Sequence, residues 1–158
     1  MSKSKLFVTV GTIAAMALVV LAASATAAQK TNPRFGKWKL KSDNPAPSLN
    51  IMTYEPYGDG GMRITIDATN AKGEKRQWGY VTMFDGEYRP VTGDSNTEVS
   101  AVVVVDERTN KIMNKTGDRV NTIMNVLSED GDTIENEYRN IGDNGEERVS
   151  HATYERIK

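Results

Sequence analysis

Few residues of this sequence could carry out catalysis, because it holds one histidine, His151, and no cysteine. That composition excludes a Cys–His catalytic pair and a zinc site built from several histidines. A Ser-His-Asp triad would have to use His151, which stands beside Ser150 in a predicted strand. No serine has the G-x-S-x-G surroundings of a nucleophile elbow. The sequence therefore predicts no catalytic residues and no enzyme activity.

Two acidic clusters, residues 129–132 and 143–147, are the candidate metal sites. Neither follows the D-x-[DN]-x-[DN]-G-x5-E spacing of a calcium loop. Asp, Asn and Gly are instead the residues that tight turns favour, since Asp and Asn bond to nearby backbone and Gly accepts a positive φ. We interpret both clusters as hairpin turns and predict no metal and no cofactor.

Aromatic, methionine and isoleucine side chains form the set that could bind a ligand. They fall on the apolar faces of predicted strands, where they would either fill a core or line a cavity for a small apolar molecule. Small or polar residues on the same faces, such as Ala68 and Asn136, favour some empty space. The predicted lining residues are Met62, Ile64, Ile66, Trp78, Tyr80, Phe84, Met124 and Tyr138.

Alternating polarity predicts the strands that position these side chains. Met62, Ile64 and Ile66 share one face of their segment, while Arg63 and Thr65 share the other, which is typical of a half-buried strand. Turn signals such as Asp-Gly and Asn-Gly recur between the segments. The candidate strands are residues 35–41, 49–54, 61–68, 77–84, 88–92, 99–105, 111–115, 120–128, 134–138 and 149–157.

This spacing predicts an all-β fold: a single antiparallel up-and-down β-barrel of about 8–10 strands in residues 35–158. Closure into a barrel removes the unpaired edges of a long meander. A sandwich of two sheets is the alternative architecture. We expect a monomer.

The N-terminus predicts export. Lys3 and Lys5 precede an uncharged apolar stretch, residues 6–21, and the small residues that follow include the A-x-A pattern ending at Ala27. These are the parts of a signal peptide, predicted as a helix over residues 1–28. Residues 29–34 are predicted as a disordered leader. We expect a periplasmic or secreted, soluble mature protein; an uncleaved membrane anchor is the alternative, and the only predicted contact with a membrane.

The charge balance argues against nucleic acid as a partner. The chain has 20 Lys and Arg against 21 Asp and Glu, and cleavage of the signal would remove two lysines. A mildly acidic chain without a basic cluster is repelled by phosphate backbones and anionic membrane surfaces. A small hydrophobic molecule is therefore the partner that the sequence predicts.

The two ends of the domain carry short motifs: Gly36-x-Trp38 in the first predicted strand, and Thr153-Tyr-Glu-Arg156 at the end of the last. Together these motifs resemble those of the calycin barrels, the lipocalins and fatty-acid-binding proteins. Segments 84–93 and 127–132 resemble those of secreted bacterial proteins with a lipocalin-like barrel. The resemblance implies that Trp38 and Arg156 are structural partners, with the guanidinium over the indole.

Two departures from the fatty-acid-binding proteins limit what the resemblance implies. Pro45 and Pro47 lead directly into the second predicted strand, where those proteins have a helix-turn-helix lid. The arginine that helps to hold a fatty-acid carboxylate there is replaced by Ala152. The head group of a ligand must therefore be held differently here.

The leading hypothesis is an exported, non-enzymatic protein that binds a small, largely apolar molecule inside its barrel. Two alternatives stay open. A filled barrel could act through its loops as an envelope protein-interaction or stress module. An enzyme could use Tyr, Asp or Glu in the mouth of the barrel, although no such site is visible in the sequence.

Overall fold

The computed structural model describes residues 32–93, 95–142 and 145–158. The predicted signal peptide, residues 1–28, and residues 29–31 of the predicted leader lie outside the described residues. The described residues contain no helix, and hence none that is long and apolar enough to cross a membrane.

Antiparallel strands make up most of the described chain, as the alternating sequence predicts. Nine strands have five or more residues, and two short pairs of residues, β5 and β6, follow β4. The strands are β1 (Gly36–Leu40), β2 (Leu49–Tyr57), β3 (Gly61–Thr69), β4 (Lys75–Thr82), β5 (Arg89–Pro90), β6 (Thr92–Gly93), β7 (Val99–Val104), β8 (Thr109–Thr116), β9 (Arg119–Leu127), β10 (Thr133–Ile141) and β11 (Glu147–Arg156).

All eleven described strands belong to one sheet, in the order β5-β7-β8-β9-β10-β11-β1-β2-β3-β4-β6. The first and last long strands pair with each other, with Trp38 opposite Arg156. The sheet is therefore a nearly closed barrel. This confirms the predicted fold class and excludes the alternative of a two-sheet sandwich. Between β4 and β7 the wall is completed by β5 and β6, whose residues bond to β7 and β4 respectively.

The closed end of the barrel is built around Trp38, which is 0% exposed. The Arg156 guanidinium lies 4.1 Å from the centroid of the indole, so the structure brings together the two residues that the resemblance pairs. Arg156 also donates hydrogen bonds to the carbonyls of Pro33, Phe35 and Gly131. These bonds tie the segment before β1 and the turn before β10 to the final strand.

The backbone conformation at position 36 explains the glycine of the Gly36-x-Trp38 motif. Its φ is 127°, which side-chain-bearing residues rarely adopt, and a Cβ there would lie 3.1 Å from Nη1 of Arg156. A glycine at this point lets the chain turn into β1 directly beneath the arginine.

The disorder predicted for residues 29–34 is wrong for residues 32–34. Pro33 and Arg34 form a turn closed by a hydrogen bond from the Phe35 N–H to the Asn32 carbonyl, and Arg34 is only 3% exposed. Its backbone carbonyl accepts a 2.9 Å hydrogen bond from the Trp38 indole N–H, and its side chain enters the barrel. Residues 32–34 thus form a plug that closes the barrel floor, which their polar composition does not predict.

The inward face of β9 is the opposite of the predicted one. Leu127 and Asn125 are buried, whereas Val126 is 38% exposed. Because side chains alternate along a strand, Ile123 joins the inward set and Met124 lies on the outer face, opposite Lys111 and Glu137. Both faces of β9 carry apolar residues, so alternation alone could not choose between them.

Candidate ligand cavity

A cavity of about 350 Å³ lies inside the barrel, above the Trp38 floor. It is lined from seven of the long strands and from the loop between β6 and β7. The lining residues are Asn50, Met52, Tyr54, Ile64, Ile66, Arg76, Trp78, Tyr80, Ser95, Asn96, Thr97, Ile112, Asn114, Ile123, Asn136, Tyr138 and Tyr154.

The walls of the cavity are aliphatic and aromatic. Ile66 pairs with Trp78 and Ile64 with Tyr80 across β3 and β4, and these side chains alternate into the barrel. Ile123 on β9 contributes to the same lining. Such walls suit the apolar body of a small molecule.

Five of the eight predicted lining residues line this cavity: Ile64, Ile66, Trp78, Tyr80 and Tyr138. Met62 lies on the same face of β3 but is 3% exposed and belongs to the packed core. Phe84 lies beyond the end of β4, has a φ of 60°, and packs against that core. Met124 lies outside the barrel, where the alternation of β9 puts it.

The floor of the cavity is a chain of hydrogen-bonded polar side chains. Arg34 donates from Nε to Oδ1 of Asn125 at 3.1 Å, and Asn125 donates from Nδ2 to Oδ1 of Asn136 at 2.8 Å. Asn136 donates in turn to the hydroxyl of Tyr138 at 3.2 Å, and Asn125 reaches the hydroxyl of Tyr54 at 3.4 Å. The apolar walls therefore end on a polar, hydrogen-bonded surface.

The positive charge of Arg34 is kept below this surface. Its guanidinium also donates to the backbone carbonyls of Arg108 and Asn125, and the residue does not line the cavity. Desolvation by burial lowers the pKa of Arg34, but an arginine in a protein stays protonated. The carbonyl and amide oxygens around it therefore compensate a buried cation.

Three tyrosines that line the cavity, Tyr54, Tyr80 and Tyr154, have a raised pKa. Burial raises the pKa of Tyr54 and of Tyr80 well above the usual range. Burial also raises the pKa of Tyr154, as do the nearby Tyr138 and the hydrogen bond between the two. Each hydroxyl can donate one hydrogen bond and accept others, so together they offer both functions to a ligand.

The mouth of the cavity contains its charged group. Of the described residues that line the cavity, Arg76 alone carries a charge, and its guanidinium carbon lies 5.8 Å from the Trp78 ring centroid. A second cavity of about 650 Å³ shares Asn50, Arg76 and Trp78 with the first. Its remaining walls come mainly from the loop 41–48 and the adjoining ends of β2 and β3, so a loop stands here in place of a helical lid.

Sequence reasoning missed several polar residues of this site, among them Arg34 and Asn125 in the floor and Asn50, Arg76 and Asn96 in the lining. The sequence predicts a disordered leader at Arg34, and the prediction of Met124 as a lining residue puts Asn125 on the outer face of β9. A detectable signal existed for Asn125, because a polar residue between Ile123 and Leu127 on one face marks a specific hydrogen-bond site. Asn96 stands in a connection whose path over the mouth no local pattern predicts.

The histidine is far from this chemistry. His151 lies on the outer face of β11, where Nε2 is 3.5 Å from Oε2 of Glu137. Among residues 32–93, 95–142 and 145–158, no group of three or more His, Asp or Glu side chains is arranged to hold a metal ion.

Comparison with known proteins shows the type of barrel. No protein-family model matches the sequence, and no curated protein sequence gives a significant match. A mutant of the fluorescent protein UnaG is 14% identical with a TM-score of 0.56, covering 80% of this chain and 97% of that chain. Fatty-acid-binding protein 1 of Echinococcus granulosus is 13% identical with a TM-score of 0.57, covering 80% of this chain and 98% of that chain. The chain thus has the β-barrel fold of these proteins.

Proposed function

We propose that this chain is a non-enzymatic binding protein that holds a small, largely apolar molecule inside a lipocalin-like barrel. The observation that carries the proposal is the cavity of about 350 Å³ with aliphatic and aromatic walls. Ligand sites in proteins start at about 300 Å³ and combine apolar walls with a few placed polar groups. The solved fatty-acid-binding protein of the same fold supports the same function.

The cavity also argues against the alternative function, a filled barrel that acts only through its loops. A barrel that acts only through its loops has no need of an interior space, and cavities larger than a water molecule are few in packed cores. Here the space lies between side chains that alternate inward from both halves of the sheet. Binding in the interior is therefore the function that the geometry favours.

Two neighbouring residues of β9 give a matched test. We expect Ile123→Phe, which fills the cavity, to weaken binding of the neutral fluorescent probe prodan by about tenfold or more. Met124→Phe adds a similar bulk on the outer face and should leave the affinity unchanged. Fluorescence titration measures both, and circular dichroism checks that each variant is folded.

Equal binding by the two variants would contradict an interior site. Extraction of the purified protein with organic solvent, followed by mass spectrometry, should in addition find a co-purifying small molecule. A chain that yields none and leaves prodan non-fluorescent would fail as a binding protein.

We also infer that the protein works outside the cytoplasm. The support is the sequence alone: the cationic start, the apolar stretch and the A-x-A pattern ending at Ala27. Expressed with its own N-terminus in a Gram-negative host, the protein should appear in the extracytoplasmic fraction. Its intact mass should match cleavage after Ala27 or Ala28, and an uncleaved mass in the membrane fraction would favour an anchor instead.

A further inference from the structure

We propose that the ligand presents a neutral group that both donates and accepts hydrogen bonds, such as an alcohol or a primary amide, to the polar floor of the cavity. This inference rests on the proposed binding function and specifies its ligand class. It follows from the chemistry of the floor, where tyrosine and asparagine side chains meet the apolar walls.

The floor lacks a charged contact for an anion. Tyr54, Tyr138, Tyr154 and Asn136 are the polar groups that face the cavity here, and the charge of Arg34 lies behind Asn125. A carboxylate in this position would lose its hydration without touching a cation, which is costly in a poorly solvated site. A neutral group avoids that cost.

A ligand group at the floor must be able to donate hydrogen bonds as well as accept them. The Tyr138 hydroxyl already accepts a bond from Asn136 and shares a bond with Tyr154. An ionised carboxylate can only accept, whereas a hydroxyl or an amide can take either part. The mixed set of tyrosine hydroxyls and asparagine amides therefore matches a neutral partner.

Asn50 gives independent evidence that a bound molecule supplies a hydrogen-bond donor. It lines the cavity nearer the mouth, and its Oδ1 is buried without a hydrogen-bond partner among the described residues. Buried carbonyl oxygens of this kind are nearly always bonded in folded proteins. Because the terminal torsion of asparagine is broad, Oδ1 can turn toward an N–H or O–H group of a bound molecule.

Arg76, the charged residue among the described lining residues, lies away from this floor. It stands at the mouth, beside Trp78, and borders both cavities. An anion at the mouth would also remain partly hydrated, so its burial would cost less than at the floor. The proposal therefore concerns the group that enters first, the one that reaches Tyr138.

The test compares two probes with the same carbon chain, decanol and decanoate, as competitors of prodan at neutral pH. We expect decanol to displace prodan at a concentration about tenfold lower than decanoate does. Tyr138→Phe removes one hydroxyl and should weaken decanol about fivefold, the effect of one hydrogen bond, with decanoate little changed. Tyr88→Phe, at a residue 44% exposed outside the cavity, is the control and should change neither.

The outcomes separate this inference from the binding function. If prodan binds but Tyr138→Phe leaves decanol unchanged, or weakens both probes equally, the neutral floor is wrong while the binding function stands. The same holds if prodan binds and neither probe displaces it. If prodan does not bind to the folded chain at all, the binding function fails and the inference falls with it.

Discussion

Replacement of Trp38 by alanine is expected to lower the free energy of unfolding by about 3–5 kcal/mol. Trp38 is 0% exposed and packs within the core, on the strand where the first and last long strands pair. Its loss leaves a void at the floor, since the surrounding β1, β2 and β11 backbones are held by their own ladders. The void costs stability in addition to the lost transfer of the indole from water.

Trp38 also stabilises the floor through two specific contacts, in addition to filling space in the core. Its Nε1 donates a 2.9 Å hydrogen bond to the carbonyl of Arg34, and its ring lies beneath the guanidinium of Arg156. Trp38→Ala removes both, so the plug formed by residues 32–34 loses an anchor. Trp38→Phe keeps an aromatic face for Arg156 and gives up the N–H bond and part of the volume, so its loss should be clearly smaller.

The second tryptophan is the matched control. Trp78 lines the cavity and is only partly buried, so Trp78→Ala enlarges an existing space rather than opening a new one in a packed core. Chemical denaturation of the three variants measures the difference. A Trp78→Ala loss as large as that of Trp38→Ala would show that the floor is not the stabilising centre of the barrel.

The strands of this barrel were predictable wherever one face is apolar and the other polar. In β3 the inward Met62, Ile64 and Ile66 alternate with Arg63, Thr65 and Asp67, so a half-buried strand follows from the pattern alone. The pairing of the chain ends was accessible too, through the resemblance carried by Gly36-x-Trp38 and Arg156. These are the parts of the fold in which local sequence and tertiary environment agree.

The polar floor was not predictable, for a physical reason. The buried side chain of Arg34 is hydrogen-bonded to Asn125, which lies 91 residues away in the sequence. The residues around Pro33 contain no pattern that predicts this pairing. The same partnership decides which face of β9 turns inward. Val126 and Met124 compete with Ile123 and Leu127 as an apolar face, and a buried asparagine becomes favourable only when its hydrogen bonds are satisfied.

Because of that dependence, Asn125→Leu should destabilise the barrel by about 3 kcal/mol or more. Leucine has the same branching and number of side-chain heavy atoms, so the main change is the loss of hydrogen-bonding groups. Nε of Arg34 and Oδ1 of Asn136 would each remain buried without their present partner. Each such orphaned group costs about 1–3 kcal/mol, with more for a charged one. Asn121→Leu, near the open end of β9, is the control and should change stability by less than about 0.5 kcal/mol.

A double-mutant cycle identifies the cause of that loss. Arg34→Met alone removes the cation and strands the Oδ1 of Asn125, so it too should be destabilising. When Arg34→Met is combined with Asn125→Leu, neither partner of the bond remains, and the total loss should be smaller than the sum of the two by about 1–2 kcal/mol. Denaturant unfolding of the four proteins gives this coupling directly. Losses that simply add, within about 0.5 kcal/mol, would mean that Arg34 and Asn125 stabilise the floor independently and that the buried cation is compensated by the backbone carbonyls alone.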